Sequence, residues 1–168
     1  MSAPKWILLA EDNANDADLA MRALKANHLE VEVVIARDGL EALDCLFGRA
    51  GFADRPAGQP ALVLLDLKMP KVDGLDVLRA IKTNFRLKVI PVVMFTSSRE
   101  QSDVAVCYQT GANAYVVKPL NFRELAIALK NVGTFWMMLN ELPPPDAFAG
   151  EPVFTRTATH LAGATEGH

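Results

Sequence analysis

The chain has little of what several protein classes require. Its 168 residues contain only two cysteines, Cys45 and Cys107, without the spacing of a metal site, so we expect free buried thiols and no disulfide framework. No apolar run approaches the roughly 20 residues of a membrane helix, and the N-terminus lacks the features of a signal peptide. A formal net charge of −3 comes without a basic block. We therefore expect a cytoplasmic protein with no membrane segment and no dedicated nucleic-acid surface.

One apolar run ends in a carboxylate. Asp66 follows the β-favouring residues 62–65 directly, and Met69-Pro70 comes soon after it. An apolar run bounded by turn residues is typical of a strand that is buried on both faces of a parallel sheet. Open α/β sheets bind their ligands at the carboxyl ends of such strands. Asp66 is therefore a candidate for chemistry if other strand ends supply matching groups.

Three other predicted strands also end in polar side chains. They are Glu11 and Asp12 after Lys5–Ala10, Thr96 after Ile90–Phe95, and Lys118 after Ala114–Val117. Carboxylate oxygens hold Mg²⁺, and an ammonium neutralises charge on a transferring phosphoryl group. A hydroxyl can donate a hydrogen bond to that group once it has arrived. The strand ends together predict phosphoryl transfer to a carboxylate.

Strands and helices alternate five times along the chain. A further strand is predicted over 31–36, and helical periodicity predicts helices over about 14–27, 40–47, 75–84, 100–110 and 122–139. Alternation of this kind implies an α/β fold, with a parallel sheet, right-handed crossovers and helices on both faces. Residues 48–60 are expected to form an exposed loop.

The domain is expected to span residues 4–142. Pro143, Pro144 and Pro145 break the last helix, and few large apolar residues follow them. Residues 143–168 are therefore predicted to form a mobile tail or an arm that docks on a partner subunit.

These residues resemble the receiver domain of response regulators in two-component signalling, over roughly residues 4–133. The resemblance implies a flavodoxin-like, doubly wound five-stranded sheet with strand order 2-1-3-4-5. It makes Asp66 the phosphoacceptor, Thr96 the hydroxyl that contacts the phosphoryl group, and Lys118 the lysine of the Lys-Pro motif. It also implies a cis peptide bond after that lysine. Tyr115 matches the aromatic position that switches with Thr96.

The resemblance further implies Mg²⁺ as the cofactor. Asp12 and Asp66 are the expected side-chain ligands, Glu11 acts through water, and the backbone carbonyl of Lys68 is the third protein ligand. Glu11 stands where the family more often has an aspartate. The phosphoryl donor is expected to be a phosphohistidine on a sensor histidine kinase. The chain itself is expected to be no enzyme beyond self-catalysed phosphorylation and dephosphorylation.

A closer likeness is to stand-alone regulators that accompany phytochrome-type kinases. It is carried by Glu11-Asp12-Asn13 with Asp16, by Phe135-Trp136 and by Leu142-Pro143-Pro144. The likeness suggests a kinase partner of the bacteriophytochrome type.

The end of the last predicted helix is unusually apolar. Phe135, Trp136 and Leu139 are candidates for a homodimer or kinase contact, because exposed apolar patches mark interfaces. The alternative is a helix end that packs on the core. Nearer the start of this helix, Phe122, Leu125 and Ile127 are expected in the core.

Other functions stay open at this point. A phosphorelay shuttle or a phosphate sink would use the same site with reversible transfer. A haloacid-dehalogenase-like phosphatase also has an aspartate nucleophile at a strand end, but its second aspartate would stand where this chain has Lys68. A flavodoxin-like cofactor binder is disfavoured, because the loop after the first strand is acidic and lacks a phosphate cradle.

Overall fold

The computed structural model describes residues 4–26 and 30–148. Within them, five strands alternate with five α-helices. These are β1 Trp6–Ala10, α1 Ala14–Ala26, β2 Glu32–Ala36, α2 Gly39–Phe47, β3 Leu62–Leu65, α3 Gly74–Thr83, β4 Val92–Thr96, α4 Gln101–Thr110, β5 Ala114–Val117 and α5 Phe122–Thr134. Short 3-10 turns cover Ala50–Phe52 and Pro145–Phe148, and a π-helical turn covers Phe135–Leu139.

The sheet has the order β2-β1-β3-β4-β5, and every neighbouring pair is parallel. This confirms the order that the receiver resemblance implies. Strands β1 and β3 lie side by side in the centre, with Ala10 opposite Leu65. The strand order reverses between β1 and β3. Glu11 follows β1 and Asp66 follows β3, so the two residues leave the sheet next to each other.

Alternate strand residues point into two separate apolar layers. Helices α2, α3 and α4 cover one face, where Leu8, Val63 and Met94 are fully buried. Helices α1 and α5 cover the other face over Ile7 and Leu64. Because both faces are covered, the central strands read as continuous apolar runs.

Helix α5 and its continuation differ from the prediction. Phe122 and Ile127 are 60% and 51% exposed, so their assignment to the core is wrong. The helix packs on α1 through Leu125 and Leu129, one turn apart, which leaves the other side of the helix in solvent. After Thr134 the helix widens into the π-helical turn instead of staying α-helical.

Several further expectations can be compared with the described residues. Both cysteines are buried free thiols, as predicted. None of the helices within residues 4–26 and 30–148 combines the length and apolarity that crossing a bilayer requires. Most of the predicted tail, residues 149–168, lies outside the described part of the chain.

Candidate functional site

Three carboxylates meet at the carboxyl edge of the sheet. Oxygens of Glu11, Asp12 and Asp66 all lie within 4.8 Å of one another. Backbone bonds hold the first and last of these in place, because the Glu11 N–H donates to the Ala36 carbonyl (2.9 Å) and the Asp66 N–H to the Ala10 carbonyl (3.0 Å). Glu11 and Asp66 are buried, whereas Asp12 is exposed. Hard oxygen donors that are partly open to solvent fit a divalent cation such as Mg²⁺.

Lys118 reaches into this acid cluster from the end of β5. Its ammonium donates to the Glu11 carboxylate and to Asp66 Oδ2 at 3.3 Å, and Asp16 Oδ2 lies 3.5 Å away. The side chain is only 11% exposed. One partly buried cation thus faces three carboxylates. The contact with Asp16 was missed by the sequence reasoning, although an acid in the first turn of the helix after Glu11-Asp12 is a usable signal.

The backbone around Lys118 departs from the resemblance in one respect. No peptide bond in the described residues is cis, so the expected cis bond before Pro119 is wrong for this structure. The trans form is the lower-energy isomer of an X–Pro bond.

Burial and the neighbouring charges shift the pKa values of Glu11 and Lys118. Burial raises the pKa of the Glu11 carboxyl to about 7, against the hydrogen bond and charge of Lys118. Burial alone would lower the pKa of Lys118, but the hydrogen bond to Glu11 and the charges of Asp66 and Glu11 outweigh it and raise the pKa. The site therefore holds more negative groups than its one ammonium neutralises, and an added cation is electrostatically favoured.

Thr96 and Tyr115 approach the site from β4 and β5. Thr96 is buried, and its Oγ1 accepts a hydrogen bond from the Ser98 N–H at 3.4 Å. The Tyr115 hydroxyl donates to the Ser98 carbonyl at 3.1 Å. The Tyr115 ring packs partly against the core, and burial raises the pKa of its hydroxyl. Both predicted switch residues therefore contact the same residue, Ser98.

The loop from β3 to α3 is held by close backbone packing. A Cβ on Gly74 would lie 2.0 Å from the Asp66 carbonyl oxygen, and one on Gly39 would lie 1.8 Å from the Val72 carbonyl oxygen. The Gly74 N–H donates to the Leu67 carbonyl at 2.7 Å. The sequence alone does not predict these two close approaches. They are required because two helices begin directly against the backbone of this loop.

An ion pair adds to the anchoring of the same loop. Lys71 Nζ lies 2.9 Å from Asp38 Oδ2 at the start of α2. Lys71 has a φ of 66°, in the left-handed region that disfavours residues with a Cβ. Lys68 also lies in this loop and is exposed.

The interface candidates lie away from the acid cluster, in the π-helical turn. Phe135 and Leu139 are 48% and 69% exposed. Trp136 packs partly against the core and contacts the Phe135 ring edge to face, with centroids 4.9 Å apart. The Lys5 ammonium donates to the Met137 carbonyl at 2.9 Å and ties this turn to the start of β1.

A cavity of about 640 Å³ lies at the amino-terminal edge of the sheet, opposite the acid cluster. Its walls include Lys5, Ala61 and Pro91, the residues directly before β1, β3 and β4. The segment 141–145 also lines the cavity. It shares none of the residues of the acid cluster.

The sequence of the chain matches the response regulator receiver domain over residues 7–130. The chain belongs to the response regulator receiver family. It is 39% identical to response regulator Rcp1 of Synechocystis sp. over 140 residues, 83% of this chain and 94% of that protein. The crystal structure of the Mn²⁺-bound form of Rcp1 superposes with a TM-score of 0.78, covering 84% of this chain and 100% of that one.

Two phytochrome response regulators are also similar to this receiver domain. The phosphorylated cyanobacterial protein RcpA is 39% identical, with a TM-score of 0.79 over 84% of this chain and 100% of that one. The bacteriophytochrome response regulator AtBRR is 51% identical, with a TM-score of 0.67 over 83% of this chain and 100% of that one. These matches confirm the receiver fold and the predicted likeness to phytochrome-associated regulators.

Proposed function

We propose that Asp66 accepts a phosphoryl group from a phosphohistidine of a sensor histidine kinase. A carboxylate oxygen attacks phosphorus, the P–N bond to the imidazole breaks, and an acyl phosphate forms on the aspartate. The observation that carries the proposal is the position of Asp66 at the end of β3, with the Lys118 ammonium 3.3 Å away and two further carboxylates beside it. The similarity to RcpA, whose structure is that of a phosphorylated protein, supports it.

The acid cluster fits a divalent cation, and we propose Mg²⁺. Asp12 and Asp66 would hold it directly, with the backbone carbonyl of Lys68, and Glu11 would contact it through water. When bound, the ion neutralises charge on the phosphoryl oxygens. The Mn²⁺-bound form of the similar protein Rcp1 supports the binding of a divalent cation, and the three clustered carboxylates of this chain are groups that could hold it. Lys118 supplies the second cationic group on the transferring phosphoryl group.

Thr96 and Tyr115 are the proposed readout. Once phosphorus is attached to Asp66, the Thr96 hydroxyl donates to a phosphoryl oxygen, and the Tyr115 ring is favoured in its inward position. Phosphorylation acts here as a population shift, since it stabilises one of two arrangements. The output is a change in the contacts that the domain makes with a protein partner or with a second copy.

The proposed kinase is of the bacteriophytochrome type, because AtBRR and RcpA are response regulators of phytochromes. Such a kinase would transfer the phosphoryl group in the cytoplasm, and we propose that this protein is cytoplasmic. We propose no nucleic-acid or membrane partner. A homodimer through Phe135, Trp136 and Leu139 is the proposed assembly, because the first and last of these expose large apolar side chains.

Within the chain, we propose residues 4–142 as the receiver domain and residues 143–168 as a tail that contacts a partner. The domain acts as a phosphoacceptor and not as a phosphomonoesterase. A haloacid-dehalogenase-like phosphatase has a second aspartate where this chain has Lys68. The ammonium of Lys68 only donates hydrogen bonds and cannot replace the carboxylate of that aspartate.

The test is phosphorylation by a small donor, phosphoramidate, with Mg²⁺, followed by intact-mass measurement. The wild type is expected to gain one phosphoryl group, and Asp66→Asn none. Asp76→Asn is the matched control, because Asp76 is an exposed carboxylate in an ordinary surface pair with Arg79. Phosphorylation of Asp66→Asn at the wild-type rate would contradict the proposal. Transfer from a phytochrome-type kinase, compared with an unrelated kinase, tests the partner separately.

A further inference from the structure

Ser98 contacts both proposed switch residues, Thr96 and Tyr115, and also the start of helix α4. Its backbone N–H donates to Thr96 Oγ1 (3.4 Å), and its carbonyl accepts the Tyr115 hydroxyl (3.1 Å). Its own hydroxyl donates to Asp103 Oδ2 at 2.6 Å and accepts the Glu100 N–H at 3.3 Å. Two of these contacts face the switch residues, and the other two face the start of α4.

Helix α4 has little else to hold its first turn. Among its ten residues only Cys107 is buried, and the N-cap residue, Glu100, makes no side-chain capping bond. Asp103 lies in the first turn, where a carboxylate also interacts favourably with the helix dipole. The hydrogen bond from Ser98 to this carboxylate is charge-assisted and short, which makes it one of the stronger side-chain contacts in this region.

We propose that Ser98 and Asp103 are positioning residues that transmit the state of the phosphorylation site to α4. The inference rests on the proposed function, in which Thr96 and Tyr115 change their contacts when Asp66 is phosphorylated. Both of those residues bond to the backbone of Ser98, so a change in either one reorients Ser98. Its hydroxyl is bonded to Asp103, and the first turn of α4 follows. Without that bond, the switch residues respond but the helix does not.

The experiment compares α4 with and without beryllofluoride, a mimic of the phosphoryl group, in the presence of Mg²⁺. Amide hydrogen exchange reports on the first turn of α4, and a tyrosine ring signal reports on Tyr115, which is one of only two tyrosines in the chain. The variants are Asp103→Ala, Ser98→Ala and the double variant. Asp103→Asn is the matched control, because its amide oxygen can still accept the Ser98 hydroxyl.

In the two single variants we expect the first turn of α4 to exchange roughly three- to tenfold faster, as the loss of one hydrogen bond predicts. The response of this turn to beryllofluoride should disappear, whereas the Tyr115 signal should still move. The double variant should match either single variant, since the two side chains form one contact. Asp103→Asn should retain at least part of the response.

Other results would overturn the link. If the Asp103→Ala variant keeps the full α4 response, or if the two single effects add, the Ser98–Asp103 bond does not transmit the change. If beryllofluoride binds to the wild type but α4 does not respond, the proposed transmission through Ser98 and Asp103 is wrong, whereas Asp66 remains the proposed acceptor. If beryllofluoride does not bind to the wild type, the proposed function itself is contradicted, and the link with it.

Discussion

The Lys118 ammonium lies 3.3 Å from Asp66 Oδ2 and is at the same time bonded to the buried carboxylate of Glu11. One cation therefore offsets two carboxylates that have little access to water. A buried charge that loses its partner is strongly destabilising, since its desolvation is no longer compensated. The stability of the metal-free domain consequently depends on the lysine that the proposed mechanism also uses.

We expect Lys118→Met to lower the free energy of unfolding of the metal-free protein by about 3 kcal/mol. Saturating Mg²⁺ should restore part of this loss, because a divalent cation takes over the neutralisation of Asp66. Urea unfolding with and without Mg²⁺ measures both effects. Arg22→Met is the control, since its pair with Asp18 is exposed and is expected to contribute less than about 1 kcal/mol. Equal losses of stability in the two variants would contradict the claim that Lys118 stabilises the domain by neutralising buried carboxylates.

The raised pKa of Glu11 predicts a pH dependence of both stability and metal binding. Its folded-state pKa of about 7 lies above the ordinary value of 4.5, so the folded state holds this proton more tightly than the unfolded state. Stability from this group is therefore fully present below pH 4.5 and is lost as the pH rises towards 7, by at most ~3 kcal/mol. Bound Mg²⁺ favours the ionised carboxyl, so its affinity should increase over the same range.

Calorimetry in two buffers of different ionisation enthalpy measures the proton released when Mg²⁺ binds. We expect release near pH 6 and little at pH 8. Glu11→Gln removes the titrating group and should remove the release, although it retains a side chain of the same size. A pH-independent Mg²⁺ affinity in the wild type would contradict the assignment to Glu11.

The packing of Gly74 predicts a large effect from a single methyl group. In Gly74→Ala the new Cβ would lie 2.0 Å from the Asp66 carbonyl oxygen, so the backbone that carries the phosphoacceptor must move. We expect a loss of about 3 kcal/mol in stability and slower phosphorylation by phosphoramidate. Gly51→Ala is the control, because nothing lies within 4 Å of its Cβ position. If Gly74→Ala is as stable as Gly51→Ala, the close approach is not a constraint.

Lys71 combines an ion pair with an unfavourable backbone conformation, and two substitutions separate the contributions. Lys71→Ala loses the pair with Asp38 and keeps a Cβ at a φ of 66°, whereas Lys71→Gly loses the pair and relieves the backbone. The glycine variant should therefore be more stable than the alanine variant by about 1 kcal/mol in urea unfolding. Ala50→Gly, at a φ of 52° and without an ion pair, should gain a similar amount. An alanine variant as stable as the glycine variant would show that the conformation is not strained.

Strand positions followed from the apolar runs, and the placing of Glu11, Asp12, Asp66 and Lys118 at one edge followed from the alternation of strands and helices. The strand order that puts Glu11 beside Asp66 came from the receiver resemblance. Parallel strands bring their carboxyl ends to one edge, so a polar residue after each strand is placed by the fold itself. Side-chain contacts made between loops do not follow from such a pattern. The approach of Gly74 to the Asp66 carbonyl, for example, depends on the angle at which α3 leaves its loop.

The exposed face of α5 shows the same limit. Phe122 looks like a core residue by composition, but which face of a helix is buried depends on the partner helix, here α1. The contacts of Ser98 were also invisible in the sequence, because they join a loop residue to a hydroxyl on one strand and a carboxylate on the next helix. Residue type and spacing alone do not select among the many acceptors within reach.

The apolar side chains of the π-helical turn lead to the last prediction, on assembly. Leu139 is 69% exposed and stands in a short run with Phe135 and Met138, which are also exposed. We expect the mass of the wild type, measured by light scattering with Mg²⁺, to double when beryllofluoride is added. Leu139→Glu should remain monomeric, with stability unchanged within about 0.5 kcal/mol, because its side chain contributes little to the core.

Phe122→Glu is the matched control for this experiment. Phe122 is 60% exposed at the start of α5, whereas Leu139 ends the π-helical turn that follows α5, so the substitution adds an identical charge to a comparably exposed position. It should leave the doubling intact. Trp136→Ala should lower stability as well as assembly, since the ring packs partly on the core. If Leu139→Glu still doubles in mass, or if Phe122→Glu prevents doubling, the contact lies on another face of the domain and not on the π-helical turn.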